Sequence, residues 1–353
     1  MAVINSEALK IVAQLNKKLG QNTVVAASEV ILSPRITTGS LTLDVVLGGG
    51  WPMNRWVELI GEASHGKTAL ALRTIAANQQ ANPDFTAVWI AAEDFDSKYA
   101  ELCGVITERV ILVETNNMED AYEAVIKFME SKAVDMVVID SLPALVPGAE
   151  DEKEMDEFTV GRGALITNKF FRKVASATKR DLIDSERPVL GMMINQYRMK
   201  IGVMHGDPRT TPGGLGKDYA YSVRCEVKRD DWLEVGTGQE KRRVGQTIRV
   251  RTIKNKTYPP QQTAYLDFYF ADGGPVNAGG YDSGKEIVAL SILNGIVDRR
   301  GGWMYYNDRK WQGAQALIDS LREEIDLREE LTRAVMDTLK GAPVLMIEPD
   351  DEE

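Results

Sequence analysis

The chain has 353 residues, of which 44% are hydrophobic and 27% are charged, and its formal net charge is −10. This length and composition are typical of a globular protein with one large α/β domain and smaller appendages. No apolar stretch is long enough to cross a membrane, residues 1–30 lack the features of a signal peptide, and neither Cys103 nor Cys225 lies in a CxxC motif. We therefore expect a cytoplasmic protein without a membrane partner, a disulfide framework or a zinc site.

The N-terminal segment predicts an amphipathic helix that stops at Gly20, followed by an extended apolar stretch over 23–32. The apolar residues that recur at helical spacing are Ala8, Ile11, Val12, Leu15 and Leu19. A helix and a strand cannot form a core alone, so this segment must dock on another surface. Pro34 marks the predicted boundary.

A phosphate-binding motif, G-x-x-x-x-G-K-[ST], occupies residues 61–68. The apolar run 56–60 predicts a strand before it, and residues 69–80 predict a helix after it. This order suits the chemistry, because exposed amides and the positive end of a helix must both face a phosphate. The sequence therefore predicts a site for a nucleoside triphosphate.

The chemistry of phosphate and metal binding explains the residue types in this loop. Gly61 and Gly66 allow the backbone to approach the phosphates, Lys67 reaches the β and γ oxygens, and Thr68 offers its hydroxyl to Mg²⁺. The candidate nucleotide contacts are Gly61, Glu62, Ala63, Ser64, His65, Gly66, Lys67, Thr68 and Ala69.

Strands and helices alternate from here to about residue 276, which predicts a mostly parallel sheet. Candidate strands are 86–90, 110–113, 134–139 and 188–194, and candidate helices are 118–131 and 161–185. The runs 222–229, 247–253 and 264–270 predict antiparallel strands at the sheet edge. A glycine-rich break over 273–280 precedes a last segment with a helix (285–293), an aromatic turn (303–306) and a charged helical stretch (314–339).

Two carboxylates follow candidate strands at the edge where open α/β sheets bind ligands. The apolar strand 134–139 runs into Asp140 and Ser141, and Asp140 is the expected second Mg²⁺ ligand at the end of a neighbouring strand. The strand 86–90 leads to Glu93, the candidate base for the attacking water, with Asp94 as the second candidate.

A long, glycine-rich loop over 195–217 follows another strand end. Its basic residues outnumber the acidic Asp207: they are Arg198, Lys200, Arg209 and Lys217. Gln196 at its root could contact the γ-phosphate and so couple the order of the loop to the nucleotide.

The negative charge is concentrated near the C-terminus. Residues 319–353 hold 12 acidic and 4 basic side chains, and without this net charge of −8 the other residues carry only −2. The overall charge is therefore a weak argument against a nucleic-acid partner. The stretch 348–353 predicts an acidic tail, which either competes with phosphates for basic groups or solubilises the terminus.

These motifs together resemble the RecA family of recombinases, in its bacterial form. The resemblance covers most of residues 1–310 and rests on blocks in the family's order and spacing: 38–44, 51–55, 61–68, 137–147, 195–204 and 254–256. It implies an α/β fold with a RecA-like P-loop NTPase core and a mostly parallel twisted sheet. It also implies three parts: an N-terminal oligomerisation helix and strand (1–34), an ATPase core with DNA-binding loops (35–276) and a small α+β C-terminal domain with an acidic tail (277–353).

The resemblance further implies roles for single residues. Glu93 matches the glutamate that positions the attacking water, Asp96 and Tyr99 match residues that hold adenine, and Gln196 matches the nucleotide sensor. Lys254 and Lys256 match two lysines that reach the neighbouring subunit's γ-phosphate. With Lys67, these residues form the catalytic set, and Asp140 and Ser141 complete the nucleotide site. One residue is missing here between Glu93 and Tyr99.

The implied partners are single-stranded DNA, homologous duplex DNA and further copies of the chain in a helical filament, with ATP and Mg²⁺ as cofactors. Candidate contacts to the first strand are Val160, Gly161, Arg162, Asn168, Arg172, Arg198, Met199, Lys200, Ile201, Arg209, Thr210, Gly213 and Gly214. A second, weaker DNA site is implied at Lys228, Arg229, Arg249 and Arg251. Leu165 and Asp218 stand where the family has an arginine and a lysine, which puts those contacts in doubt.

The implied activity is ATP-dependent homologous pairing and strand exchange with DNA-stimulated ATP hydrolysis. Two other classes share parts of this pattern: a hexameric helicase with the same ATPase core, and a nucleotide-dependent DNA-binding scaffold. Closed rings in electron micrographs would favour the helicase, and an absence of DNA-stimulated hydrolysis would favour the scaffold. The sequence leaves open whether the source is a cell or a phage.

Overall fold

The computed structural model describes residues 4–19, 24–26, 34–148, 161–179, 187–199 and 208–339. Its strands are β1 Arg35–Ile36, β2 Trp51–Pro52, β3 Trp56–Ile60, β4 Ala87–Ala91, β5 Val110–Glu114, β6 Met136–Asp140, β7 Leu190–Asn195, β8 Arg198–Met199, β9 Arg209–Thr210, β10 Val223–Val235, β11 Arg242–Asn255, β12 Thr263–Tyr269, β13 Gly280–Tyr281, β14 Asp298–Arg300, β15 Trp303–Tyr306 and β16 Arg309–Gln312. Its helices are α1 Ser6–Leu19, α2 Leu41–Leu47, α3 Lys67–Ala81, α4 Ser97–Leu102, α5 Met118–Ser131, α6 Arg162–Lys179, α7 Gly216–Ala220, α8 Ser283–Leu293, α9 Gly313–Glu323 and α10 Ile325–Thr338, with short 3₁₀ turns at Thr107–Arg109, Leu142–Ala144 and Gly238–Glu240. No helix among these residues is long and apolar enough to span a membrane.

A nine-stranded mixed sheet forms the centre of the molecule, in the order β13-β12-β11-β10-β3-β7-β6-β4-β5. The six strands from β10 to β5 are parallel, and β11, β12 and β13 extend the sheet antiparallel. The predicted α/β fold with a mostly parallel sheet is confirmed, and so are the antiparallel strands at one edge.

The parallel strands form because they are apolar on both faces, and helices cover each face. Every residue of β3, β6 and β7 is buried. One apolar cluster packs α3 against one face, and a second packs α5 and α6 against the other, with Trp56 between Phe170 and Phe171. The strand ends are therefore held rigidly, which positions any side chain that follows them.

The strand order differs from one expectation. The prediction placed Asp140 at the end of a strand neighbouring the phosphate-loop strand, but β7 lies between β3 and β6. Sequence pattern alone does not reveal strand order, because β3, β6 and β7 are equally apolar. Because of this strand order, the loop that follows β7 begins between the phosphate loop and Asp140.

The C-terminal segment contains α8, α9, α10 and a three-stranded sheet of β14, β15 and β16 around a third apolar cluster. One expectation is wrong here. The aromatic stretch 303–306 is strand β15 rather than a turn, because Met304 is buried in that cluster between β14 and β16. The predicted helical stretch over 314–339 forms two helices, α9 and α10, because Glu324 between them adopts an extended conformation (φ −105°, ψ 96°).

Helix α1 forms as predicted and has no buried residue, although Asn16 exchanges hydrogen bonds of 2.8 and 2.7 Å with the Val24 backbone. Its apolar residues Leu9, Ile11, Leu15 and Leu19 are 37% to 56% exposed. Such a stripe on a 14-residue helix needs a partner surface, because an amphipathic helix derives most of its stability from packing. The predicted strand over 23–32 and the acidic tail over 348–353 lie mostly or wholly outside the described residues.

A buried carboxylate joins the C-terminal segment to the core. Glu286 of α8 accepts hydrogen bonds from the Ser40 hydroxyl (2.7 Å) and the Leu41 amide (2.8 Å) at the start of α2. Burial raises the pKa of Glu286 to about 7, although these hydrogen bonds act in the opposite direction. The folded chain therefore favours the protonated form of Glu286.

This carboxylate makes stability depend on pH. Because its folded pKa lies above the ordinary 4.5, its contribution to the free energy of unfolding is complete below pH 4.5 and is lost as the pH rises through about 7. Relative to Glu286→Gln, the wild type should lose about 3 kcal/mol over that interval, measured by urea unfolding at a series of pH values. The exposed Glu329→Gln is the control, and parallel curves for Glu286→Gln and the wild type would contradict the prediction.

Candidate nucleotide and DNA-binding sites

The phosphate loop connects β3 to α3 at the carboxyl edge of the sheet, as predicted. Its glycines are required by close contacts: a Cβ on Gly61 would lie 2.1 Å from the Val227 carbonyl oxygen, and one on Gly66 would lie 2.4 Å from the Ile248 side chain. Gly66 also has φ +95°, which disfavours other residues. The loop therefore fits against β10 and β11 only with glycine at these positions.

Lys67 is folded back onto its own loop. Its Nζ donates to the carbonyl oxygens of Gly61 (2.9 Å) and Glu62 (2.6 Å), and the side chain is buried. Burial lowers the pKa of Lys67, while the nearby Asp140 and Glu93 raise it. The ammonium group is thus held in the hollow of the loop, where phosphate oxygens could replace the carbonyls.

Four of the predicted acidic and hydroxyl groups come together beside the loop. The Thr68 hydroxyl donates to Asp140 Oδ2 at 2.9 Å, and the Ser141 hydroxyl donates to Glu93 Oε1. The amides of Ala92 and Glu93 donate to the Asp140 carbonyl at 3.0 and 3.1 Å, which fixes the end of β4 on the end of β6. Burial raises the pKa of Asp140 to about 6, and the Thr68 hydrogen bond opposes that shift.

This arrangement fits a magnesium ion bound together with phosphate. Thr68 and Asp140 offer two oxygen ligands, and no group of three or more His, Cys, Asp or Glu side chains that could hold a metal exists among the described residues. Mg²⁺ is commonly bound by one or two carboxylates with substrate phosphates and water as the remaining ligands. The oxygen pair could therefore hold the ion only as part of a nucleotide complex.

A cavity of about 350 Å³ adjoins the phosphate loop and has an aromatic wall. Its lining includes Gly66, Lys67, Thr68 and the predicted Tyr99, and also Trp232, Gln246, Phe268 and Phe270. The sequence did not predict the last four, since the three aromatic residues look like core residues in a strand pattern and Gln246 carries no local signal. Only their position on β10–β12 beside Gly66 reveals a surface on which a flat ring could stack.

Asp96, a predicted adenine contact, caps helix α4. Its carboxylate accepts from the amides of Lys98 (2.9 Å) and Tyr99 (3.1 Å). It therefore positions Tyr99 in the wall of the cavity, and its exposed side chain remains within reach of solvent. Asp94 is exposed next to Glu93, and its carboxylate accepts no hydrogen bond from the described residues.

Gln196 lies directly after β7, between the phosphate loop and Asp140 in strand order. The backbone amide of Gln196 donates to Asn195 Oδ1 (2.9 Å), and the side-chain amide of Asn195 donates to Glu58 Oε1 (2.7 Å) on β3. The described parts of the following loop are more regular than expected, since β8 pairs with β9 and α7 closes the loop.

This loop exposes fewer unpaired basic side chains than the sequence predicts. Lys217 is fully buried and paired with Glu58, so it does not belong to the exposed basic set. Arg209 pairs with Glu226 at 2.7 Å and lies 4.7 Å from the Tyr197 ring. Arg198 and Met199 are exposed, while Thr210 is half-buried. Lys200 and Ile201 lie outside the described residues.

On α6, the predicted DNA contacts Arg162 and Arg172 are exposed, as is Gly161 before the helix. Asn168 instead packs against Gly214 and Gly216, and its Oδ1 is buried without a hydrogen-bond partner among the described residues. Gly213 and Gly214 both have positive φ, +94° and +74°, in the turn that precedes α7. Val160 lies outside the described residues.

The predicted second DNA site is divided between two faces of the sheet. Lys228 lies directly opposite Arg249, and Arg251 follows two residues later on that same face. Like charges opposite each other are destabilising unless an anion lies over them, which suits a phosphate-binding surface. Arg229 pairs with Ile248 on the other face, 4.2 Å from Trp232, so it lies beside the nucleotide cavity instead. The strand alternation of β10 causes this separation.

Lys254 and Lys256 lie at the opposite edge of the sheet from the phosphate loop. Lys254 is paired with Arg224, which is level with Glu58, and the Lys256 amide bonds to Ser222, which is level with Trp56. The phosphate loop begins after Ile60, which along β3 is about 7 Å from the level of Lys254 and about 13 Å from the level of Lys256. In the free chain the Lys254 ammonium donates to the Asp218 carbonyl, and that of Lys256 donates to the Tyr219 carbonyl at 2.8 Å.

Comparison with known proteins identifies relatives over most of the chain. The sequence pattern of the RecA N-terminal domain matches residues 7–274. Protein RecA of Lactococcus lactis subsp. cremoris strain MG1363 is 36% identical over 303 residues, which cover 85% of this chain and 74% of that protein. Protein RecA of Staphylococcus aureus strain JH9 is 35% identical over 334 residues, which cover 93% and 91%.

Proposed function

This chain belongs to the RecA family of ATP-dependent recombinases, and we propose that each nucleotide site is completed by Lys254 and Lys256 of the adjacent protomer in a helical filament. Members of this family are DNA-dependent ATPases of recombination and repair that bind single-stranded DNA. The proposal concerns how this chain couples ATP, DNA and self-association.

The observation that carries the proposal is the separation of the two halves of the site. The phosphate loop leaves the carboxyl end of β3, whereas Lys254 is level with the middle of that strand and Lys256 with its amino end, two strands away at the end of β11. A lysine side chain is too short to cross that distance and the intervening strand. The two lysines must therefore act on a different nucleotide from the one bound by their own chain.

An adjacent copy supplies that nucleotide if its carboxyl edge meets this amino edge. Such a contact joins two different surfaces and does not close on itself, so repetition generates a helix. The γ-phosphate adds charge-assisted hydrogen bonds to both lysines that a diphosphate lacks. ATP therefore stabilises the assembly and hydrolysis loosens it.

A second contact between copies involves the N-terminal arm. The apolar stripe of α1 is exposed, and the edge strand β5 exposes Ile111 and Leu112 by 40% and 38%. An unpaired edge with apolar side chains is a ready surface for an incoming helix and strand. We propose that the arm (1–34) docks on the core of the neighbour, while the core itself comprises 35–276 and the C-terminal domain 277–353. The separate apolar cluster of the last segment supports that division.

Within one site, each side chain has a distinct task. Lys67 binds the β and γ oxygens, Thr68 and Asp140 hold the metal, and Glu93 orients the attacking water and receives its proton. The ion, when bound, neutralises charge on the phosphates. Ser141 keeps the Glu93 carboxylate turned toward Asp140 through its hydrogen bond. Gln196 is positioned to sense the γ-phosphate and to order the DNA loop.

The DNA contacts follow from the exposed basic residues around that loop. Arg162, Arg172 and Arg198 suit the phosphates of a first strand, and an exposed Met199 suits contact with bases. Lys228, Arg249 and Arg251 suit the backbone of an incoming homologous duplex. Because these contacts are to backbone, sequence is compared by base pairing between the two DNAs.

Changing both Lys254 and Lys256 to alanine should lower DNA-stimulated ATP hydrolysis about a hundredfold, because the γ-phosphate loses two charge-assisted contacts. Wild-type turnover in this double variant would contradict the proposal.

A mixing experiment tests whether the lysines act between copies. The double variant keeps its own Glu93, and Glu93→Gln keeps its own lysines, so neither protein alone has a complete site. Random coassembly on single-stranded DNA gives about one functional pairing in four, so a quarter of wild-type turnover should return. If mixing restores nothing, the lysines act within their own chain.

A further inference from the structure

A fully buried lysine anchors the end of the DNA-binding loop. Lys217 of α7 is 0% exposed, and its Nζ contacts the Thr211 hydroxyl (2.6 Å), Asp218 Oδ1 (2.8 Å) and Glu58 Oε1 (3.2 Å). A buried charge persists only where its partners compensate for lost hydration. The same ammonium group therefore joins α7 both to Thr211 in the DNA-binding loop and to Glu58 on β3.

Lys217, Arg224, Glu58 and Asp218 form a cluster of two positive and two negative charges, which is neutral overall. Glu58 also accepts from Arg224 Nε at 2.6 Å, and Arg224 reaches Asp218 at 3.2 Å. Glu58 belongs to the strand that leads into the phosphate loop, and it also holds Asn195 at the root of the DNA loop. One carboxylate thus joins the phosphate-loop strand, both ends of the DNA loop and α7.

The same short helix holds the two lysines of the filament contact. The carbonyl of Asp218 accepts the Lys254 ammonium and that of Tyr219 accepts the Lys256 ammonium. Burial and the nearby Lys256 and Arg224 charges lower the pKa of Lys254 to about 8. Both ammonium groups are consequently retained on α7 until another acceptor, such as a phosphate, replaces these carbonyls.

Helix α7 also contacts the DNA-facing helix. Asn168 of α6 packs against Gly214 and Gly216, where a Cβ on Gly216 would lie 2.1 Å from Asn168 Oδ1. A Cβ on Gly213 would lie 2.8 Å from the Lys217 side chain. Because these contacts leave no free space, a movement of the DNA loop or of α6 also displaces α7.

We propose that α7 is the element through which bound DNA controls Lys254 and Lys256, and that Lys217 is the positioning residue that makes this coupling rigid. The inference rests on the proposed action of the two lysines on the neighbouring nucleotide. DNA bound at the loop shifts the carbonyls of Asp218 and Tyr219, and the lysines move from these carbonyls to the phosphate. Without the Lys217 anchor, α7 yields locally and the lysines stay where they are.

The decisive variant is Lys217→Met in the full chain, which keeps the length of the side chain and removes its charge. The kcat of ATP hydrolysis with saturating single-stranded DNA should fall about tenfold or more, as for other supporting residues, while the KM for ATP changes less than about twofold. Lys127→Met on the exposed face of α5 is the matched control and should behave as the wild type. A wild-type kcat in Lys217→Met would overturn the inference.

A double variant separates coupling from stability. Lys217→Met alone leaves Glu58, Arg224 and Asp218 with one uncompensated negative charge, whereas Glu58→Gln with Lys217→Met restores neutrality. The double variant should regain the thermal stability of the wild type but not its DNA-stimulated kcat. Recovery of both would mean that Lys217 only stabilises the fold, and it would refute the coupling even if the single variant does not fold.

The two sets of variants also distinguish a failure of this inference from a failure of the proposed function. If the variant with alanine at Lys254 and Lys256 keeps wild-type turnover, the contact between copies is wrong. If that variant loses turnover while Lys217→Met retains it, only the role of α7 is wrong.

Discussion

Replacing Lys67 with alanine is expected to weaken ATP binding about a hundredfold and to abolish ATP-dependent filaments on single-stranded DNA. The Lys67 ammonium is the positive charge enclosed by the phosphate loop, bonded to the carbonyls of Gly61 and Glu62. In the variant these carbonyls would face the phosphates without a cation between them. Affinity is measured with a fluorescent ATP analogue and assembly by negative-stain electron microscopy.

The control for Lys67→Ala is Lys127→Ala, which breaks an exposed pair with Glu123 on α5 and should leave binding and assembly unchanged. Undiminished filament assembly together with undiminished ATP binding by Lys67→Ala would refute the assigned phosphate contact. Weak binding together with normal filaments would show that assembly does not depend on the nucleotide.

Replacing Glu93 with glutamine is expected to lower ATP turnover about a thousandfold, the size of a general-base contribution, while filaments on DNA persist. Glutamine keeps the shape of the side chain and an oxygen that can accept from Ser141, but it cannot take a proton from water. ATP therefore remains bound and the assembly is not released. Turnover is measured by phosphate release, and filament lifetime by DNA-binding fluorescence.

Asp94→Asn is the matched control for Glu93→Gln, since Asp94 is the adjacent exposed carboxylate. Its turnover should stay within about twofold of the wild type, as for an exposed side chain that does not take part. If Asp94→Asn loses turnover and Glu93→Gln retains it, the base is Asp94.

Much of the candidate nucleotide site could be predicted because it follows strand ends. The motif at 61–68 comes directly after β3, Glu93 lies two residues after β4, and Asp140 is the last residue of β6. Parallel strands bring these carboxyl ends to one edge. The structure brings Thr68 and Asp140 within 2.9 Å. Chain order therefore predicts proximity here, although it does not reveal that β7 lies between β3 and β6.

Other parts depend on contacts that no local pattern encodes. Lys217 reads as one more basic residue of a loop, and only the position of Glu58 on a buried strand explains its burial. Arg229 is adjacent to Lys228 in sequence but faces the other side of the sheet. Trp232 and Phe270 look like core residues until the fold places them beside the phosphate loop.

The separation of the phosphate loop from Lys254 and Lys256 gives the polymer a direction. A row of protomers has one fewer complete nucleotide site than it has members, so short rows hydrolyse less ATP per member than long ones. The first and last members are also unlike: one presents a phosphate loop without lysines, and the other presents lysines without a phosphate loop. Growth and loss of subunits at the two termini must then have different rates and a different dependence on ATP.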